Sequence, residues 1–292
     1  MGSATWVRMR LVTPVFSTVQ LAARIEHAEA RLTRSVGRAV LAWRPDGDAI
    51  VEDLGEGVVV YAAAASPMNK MIGVGFEALP AADRLQVIEE QFARRAAPLQ
   101  AEVSTLADPS FATMLARRGY VLQGFENVLG RAIVRGDAAP PPNGTIRIEL
   151  AVDAENDRWL DAAITGFLHP DQQGVQAEPL PPPDELQGAF QDFARAPGFS
   201  RYFAWIDGDL AGVASLRIDE RLAQLCGAAT LPVFRRRGVQ TALLRRRLAD
   251  AVRDGCDLAL MTTQPGSKSM ENGYRQGFVL LYSRAVMVKP PA

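Results

Sequence analysis

The chain has 292 residues, 48% of them hydrophobic and 22% charged; this length suits two average domains rather than one, and the apolar share excludes wholesale disorder. Its 32 basic and 33 acidic residues leave a net charge of -1, whereas a dedicated nucleic-acid or membrane-surface protein needs a basic excess. Two cysteines (Cys226, Cys256) and two distant histidines (His27, His169) exclude a disulfide scaffold and a Cys/His zinc site, so no metal is expected. No uncharged apolar run reaches the length of a membrane span, and the first residues lack an apolar core followed by a small-residue cleavage site. A soluble, cytoplasmic protein with no membrane partner is expected.

In chain order, apolar spacing predicts a helix over 19–32, then strands at 39–43, 58–64 and 70–76. A helix over 81–95, a strand at 99–103 and a short helix over 109–118, started by Asp108-Pro109, follow. Strands at 120–123 and 127–134 close the first half. Three consecutive prolines, Pro140, Pro141 and Pro142, cannot donate to any backbone ladder and stiffen a spacer. They divide the chain into domains 1–138 and 145–292.

The second half opens with the alternating strand 146–150. Asp153 is expected to cap a helix reaching residue 167, and Asp184, beyond a proline-rich loop at 178–184, a second reaching 196. Strands 201–206 and 210–218 meet at Asp207-Gly208-Asp209, a hairpin signal, and a strand at 223–230 follows. Next come a helix over 238–254 closed by Gly255, a strand at 258–262, a helix over 267–276 and strands at 278–283 and 285–289. The order β-α-α-β-β-β-α-β-α-β-β describes a mixed α/β sheet with helices on its faces. The first half repeats it faintly. Arg117-Arg118-Gly119-Tyr120 and Arg275-Gln276-Gly277-Phe278 each set a helix end, a glycine and an aromatic entering a strand, which indicates an internal duplication.

Chemistry concentrates between Thr230 and Thr241. A strand ends, Arg235, Arg236 and Arg237 form a basic turn, and Gly238 opens an amphipathic helix with Leu244, Leu248, Ala251 and Val252 on its buried face. Free N–H groups and the positive dipole end of a helix suit a pyrophosphate. Arginine supplies 29 of the 32 cations, so an arginine triplet alone is weak evidence; Arg245, Arg246 and Arg247 are expected on a solvated helix face. The position of the first triplet, between strand and helix, gives it weight.

This strand-turn-helix unit resembles the acetyl-CoA signature of the GNAT superfamily of N-acyltransferases, Arg/Gln-x-x-Gly-x-Gly/Ala. The match begins at Arg235, takes Gly238 as its first glycine, and departs at Gln240, where glycine or alanine is usual. It extends over about residues 145–289 and implies two GNAT-like domains, each a mostly antiparallel twisted sheet flanked by helices. The first is a degenerate copy, because Gly75 to Pro80 lead into its helix without a basic glycine turn. The resemblance implies acetyl-CoA as co-substrate, with its amide-rich arm paired along Ala228, Ala229 and Thr230 and its pyrophosphate held by Arg235, Arg236, Arg237, Gly238, Val239, Gln240 and Thr241.

The resemblance also places a thiol-protonating tyrosine four residues before the Gly277 glycine. That position is Gly273 here, and Tyr274 stands one residue on, turned by about 100° of helix. Ser267, Ser269 and Asn272 on the same helix could bond the pantetheine, although Ser267 equally suits an N-cap. Glu271 is a base candidate by location only. Cys226 reads as a small buried hydrophobe and His169 as a loop histidine. No Gly-x-Ser-x-Gly, His-Glu-x-x-His or Walker pattern occurs. The expectation is an N-acetyltransferase acting on a small-molecule or peptide amine, without nucleic acid; a non-catalytic CoA sensor is the alternative. A homodimer stays open.

Overall fold

The computed structural model describes residues 15–64, 66–138, 145–171, 175 and 182–291. Thr18 opens helix α1 (Val19–Trp43), its hydroxyl accepting from Leu21 N at 3.1 Å. The strand expected at 39–43 is the end of this helix. Leu32, Val36 and Val40 keep the helical spacing, so the apolar face runs unbroken to Arg44, where Pro45 forbids continuation.

A hairpin follows, β1 (Ile50–Leu54) and β2 (Gly57–Tyr61), of which the sequence signalled only the second strand. Then come β3 (Lys70–Ile72), α2 (Ala82–Arg94), β4 (Leu99–Ser104), α3 (Pro109–Arg117) and β5 (Val121–Ala132). The second half runs β6 (Ile146–Leu150), α4 (Asn156–Leu168), α5 (Pro183–Arg195), β7 (Phe199–Ile206), β8 (Asp209–Asp219), β9 (Leu222–Thr230), α6 (Val239–Arg253), β10 (Leu258–Thr263), α7 (Lys268–Arg275) and β11 (Val279–Lys289). Two capping expectations shift. Asp153 sits in a 3-10 turn where Glu155 accepts from Val152 N at 3.1 Å, and Asp184 lies inside the first turn of α5, favourable to the dipole but not the cap.

All eleven strands form one sheet, ordered β1-β2-β3-β4-β11-β5-β10-β9-β8-β7-β6. The strand pairs expected at 120–123/127–134 and 278–283/285–289 are each one long strand. β5 and β11 run antiparallel from Val279↔Gly130 to Val288↔Val121, and bulges at Leu280/Tyr282 and Val286/Met287 absorb the bends that looked like turns. The halves thereby exchange their last strands. β11 pairs with β4 of the first half, and β5 pairs with β10 of the second. The boundary expected at 139–144 lies outside the described residues; the halves on either side of it share this sheet.

The sheet is mixed, with parallel pairs only at β3–β4 and β9–β10, each bridged by a helix (α2, α6) at the equivalent place in its half. Helices α1, α4 and α5 cover one face, and α2, α3, α6 and α7 the other, each face burying its own apolar clusters. Beneath α1 the centre of the sheet is charged. Arg284, 1% exposed, donates from Nε to Glu26 at 2.7 Å, and Tyr282 donates to the same carboxylate at 2.7 Å. No helix among the described residues is long and apolar enough to cross a membrane.

Because β4 and β5 both depend on a strand from the other half, neither half can complete its sheet. Fragments 1–138 and 145–292 expressed separately should each lack the cooperative thermal transition of the full chain in circular dichroism. A sharp transition in either fragment would contradict the exchange.

Candidate functional site

Strands β9 and β10 pair over only three residues, Leu258↔Leu222 to Leu260↔Gln224. Beyond Gln224 they part, while β9 stays bound to β8 on its other side through Val213↔Ala229 and Gly212↔Thr230. A register shift between Val213 and Ser215 bends β9 where the parting begins. The edge of β9 along Ala228, Ala229 and Thr230 therefore faces an open seam. At the far ends of the two strands, Thr230 Oγ1 and Thr263 Oγ1 are buried without a partner among the described residues. Buried hydroxyls are ordinarily bonded, and these two flank the open seam.

The seam leads to an irregular backbone turn between β9 and α6. Leu231 N donates to Ala211 O at 3.0 Å, and a 3-10 turn over Pro232–Phe234 satisfies Phe234 N and Arg235 N at 2.9 and 3.3 Å. Arg236 and Gly238 then take positive φ, +62° and +85°. The first bonded amide of α6 is Ala242 N, donating to Gly238 O at 3.0 Å. The six N–H groups of residues 236–241 have no acceptor among the described residues. A Cβ on Gly238 would meet only Ile146 Cδ1 at 3.7 Å, so backbone conformation rather than protein crowding selects glycine there.

The three arginines of the turn do different things. Arg235 donates to the carbonyl of His169, whose ring sits 2.9 Å from Thr165 O at the end of α4. Arg237 lies 3.6 Å from Asp207 and over the Phe234 ring. Arg236 alone is exposed and unpaired among the described residues. Gln240 and Thr241 are half-buried beside it.

The second triplet is not a solvated face. Arg245 is exposed, but Arg246 bonds Asp250 and Ile148 O, and Arg247 is 3% exposed. Arg247 Nη1 donates to Ser215 O at 3.1 Å and Cys226 O at 3.4 Å, tying β8 to β9 at the bend; no carboxylate accompanies it, and burial lowers its pKa to about 10. Its position one helical turn after the buried Leu243 was the signal that charge obscured. Cys226 fits its inert reading, since burial pushes its thiol up to about 12 and thiolate is scarce.

On α7, Gly273 faces the sheet so closely that a Cβ would stand 3.0 Å from Met261 Sδ and 3.1 Å from Leu129 Cδ1. No tyrosine fits there. Tyr274, one step round the helix, is 44% exposed. Ser267 is the N-cap, accepting from Met270 N at 3.2 Å, Ser269 is exposed and Asn272 half-buried. Glu271 is held by Lys268 at 2.6 Å and by Arg275, and the Lys268 hydrogen bond keeps its pKa below the usual range, which suits a structural ion pair better than a base. Among the described residues no group of three His, Cys, Asp or Glu side chains could hold a metal ion.

Residues 165–278 match the Acetyltransferase (GNAT) family. Among solved structures, a GCN5-related N-acetyltransferase from Kribbella flavida is similar at a TM-score of 0.64 and 20% identity, covering 93% of this chain and 96% of its own. Another from Sphaerobacter thermophilus matches at 0.52 and 16%, covering 94% of both chains. A tandem GNAT protein from the clavulanic acid biosynthesis pathway matches at 0.54 and 14%, covering 81% of this chain and 79% of its own. These likenesses show a shared fold. No curated protein matches the sequence.

Replacing Arg247 by methionine keeps the aliphatic stem but leaves the carbonyls of Ser215 and Cys226 without their donor. Urea unfolding should show a loss of about 2 kcal/mol, and an unchanged midpoint would contradict the tie.

Proposed function

We propose that this chain, whose residues 165–278 match the Acetyltransferase (GNAT) family, is an acyl-CoA-dependent N-acyltransferase that moves an acetyl group from acetyl-CoA to an amine of a small molecule or peptide. The observation that carries the reading is the run of six unbonded amides beside the open seam between β9 and β10. Acetyl-CoA supplies the activated acyl group.

The chain's own part follows from its geometry. The amides of residues 236–241 and the free Arg236 guanidinium suit the two phosphates, with α6 adding its positive end. Arg235 and Arg237 brace the turn through His169 and Asp207. The edge of Ala228, Ala229 and Thr230 suits the amides of the pantetheine arm as an added strand, and the orphaned hydroxyls of Thr230 and Thr263 offer it polar partners. Ser269 and Asn272 border that path on α7, whereas Ser267 has its hydroxyl committed to the cap. Tyr274, exposed on the same helix and the one phenol there, is assigned to protonate the departing thiolate. We place the reaction in the cytoplasm, where acyl-CoA is available, and assign it no metal and no nucleic acid.

The first half carries no second cofactor site in this reading. The first turn of α2 bears Asp83, which accepts from Arg84 N at 2.8 Å, and the guanidinium of Arg84 is already paired with Glu52, so a carboxylate occupies the place where a phosphate would seek positive charge. Its role is to complete the sheet and wall the acceptor side of the seam. A second reading, a CoA-binding sensor without turnover, is favoured by one observation: the absence of room for a tyrosine at Gly273.

Acetyl-CoA at millimolar concentration should raise the melting temperature by several degrees, the shift set by its affinity, and Gly238→Glu should abolish the shift by placing a charged side chain among the amides. No shift in the unaltered protein would refute the assignment. Thiol release on adding primary amines separates the enzyme from the sensor. Tyr274→Phe should lower kcat by about 10-fold or more while leaving the acetyl-CoA shift intact; an unchanged kcat would remove Tyr274 from the mechanism.

A further inference from the structure

On the face covered by α1, the seam between β9 and β10 is bordered by two carboxylates, Glu29 and Glu126, with no cation hydrogen-bonded to either among the described residues. Gln224, the last β9 residue paired with β10, donates from Nε2 to Glu29 of α1 at 2.8 Å. Across β10, Glu126 of β5 stands one residue beyond the Asn127↔Thr263 pair that ends the strand, directly opposite Arg284. Arg284 and Tyr282 bond Glu26 of α1, so Glu126 and Glu29 lie on one face of the sheet.

The cations beneath α1 are already matched. Lys70 holds Glu102 at 2.8 Å and Arg284 holds Glu26 at 2.7 Å. Arg217, approaching from β8, donates to Asp219 at 3.1 Å and to the Gln224 side-chain Oε1 at 2.5 Å, and Arg31 of α1 donates to the same Asp219 at 2.5 Å. Glu29 accepts from the neutral Gln224 amide, and Glu126 stays 3.6 Å from Arg284 Nη1, outside hydrogen-bond distance. Neither carboxylate is hydrogen-bonded to a cation. Burial and the charges of Glu102 and Glu29 raise the Glu126 carboxyl against the pull of Lys70 and Arg284, while a third of its side chain stays exposed.

We propose that Glu126, contributed by the first half, is the catalytic base that deprotonates the acceptor, and that Glu29 binds a second cationic group, so that the acceptor is a primary amine bearing another positive charge. This rests on the acetyltransferase reading above. The ammonium gives its proton to the Glu126 carboxylate; the neutral nitrogen forms a bond to the thioester carbonyl carbon, the carbon–sulfur bond breaks, and the sulfur leaves as thiolate, to be protonated. Opposite charge at the seam draws the ammonium in, and a carboxyl titrating above its usual range accepts a proton more readily than an ordinary one. The cofactor turn and α6 lie on the other face of the sheet, so donor and acceptor enter from opposite sides and meet where the strands part.

The full chain is assayed for thiol release with acetyl-CoA and either 1,4-diaminobutane or butylamine, and for the acetyl-CoA melting shift. The unaltered protein should favour the diamine by about 10-fold or more in kcat/KM. Its profile should rise with pH through a limb above the usual carboxylate range, as Glu126 loses its proton. Glu126→Gln should keep the melting shift, lose that limb and fall about 100-fold or more in kcat/KM. Glu29→Gln should raise KM for the diamine about 10-fold with kcat unchanged. A Glu126→Gln variant with an intact pH limb, a preference for butylamine, or acetylation of neither amine by a protein that still shows the melting shift overturns the proposal and leaves the acyl-CoA reading standing. Absence of the shift in the unaltered protein removes both.

Discussion

A sheet in which every strand is paired along its length has no backbone left for an amide-rich ligand. In this chain, β9 and β10 part after three residue pairs, and the site is built around that opening. The parting needs enforcement, since strand edges seek partners. A bend at the register shift between Val213 and Ser215 turns β9 away, and the buried Arg247 guanidinium fixes the bend by bonding Ser215 O and Cys226 O. On the other side, β5 holds β10 through six residue pairs and keeps it from following β9. The strand that does so comes from the other half of the chain.

Exchange of the last strands thus ties the site to the whole molecule. β5 runs from the first half to the edge of the seam, delivering Asn127 opposite Thr263 and Glu126 just beyond. β11 returns in the opposite direction and lays Tyr282 and Arg284 under α1. Burying Arg284 is costly unless its partners stay in place, and those partners, Glu26 and Glu102, are on α1 and β4. One guanidinium therefore links the first helix, the fourth strand and the last strand. The first half is thus a structural necessity, and in the proposed mechanism it is the source of the base.

The strand-turn-helix unit was legible because three local signals coincided: a strand end, a basic turn, and a glycine before an amphipathic run. Gly238 at φ +85° and the unbonded amides of 236–241 stand where that reading put them. The long β5 and β11 read as hairpins because Gly124 to Glu126 and Ser283 to Arg284 interrupt the apolar pattern. That polarity answers to α1 and to the opposing strand, partners more than 100 residues away. Arg247 was misread for the same reason, since composition assigns an arginine triplet to solvent and only packing shows which member turns inward. The end of α1 was a different error. Val36 and Val40 fit strand and helix alike, and the length of the unbroken face decides between them.

The position of the two carboxylates is the part no local pattern could carry. Glu29 and Glu126 are 97 residues apart, and in sequence one falls on an expected helix and the other in the break between two expected strands. They become neighbours of the seam because α1 crosses the sheet there and because β5 sits between β11 and β10 rather than at an edge. A pair of domains without strand exchange would place a residue equivalent to Glu126 in the sheet of the first domain, away from the opening in the second. In the proposed mechanism, acceptor chemistry is thus a property of the joined sheet and falls on the face opposite the turn before α6. Two reactants of opposite charge would then approach through separate mouths: a polyphosphate toward Arg236 and the helix amides, and an ammonium toward the carboxylates.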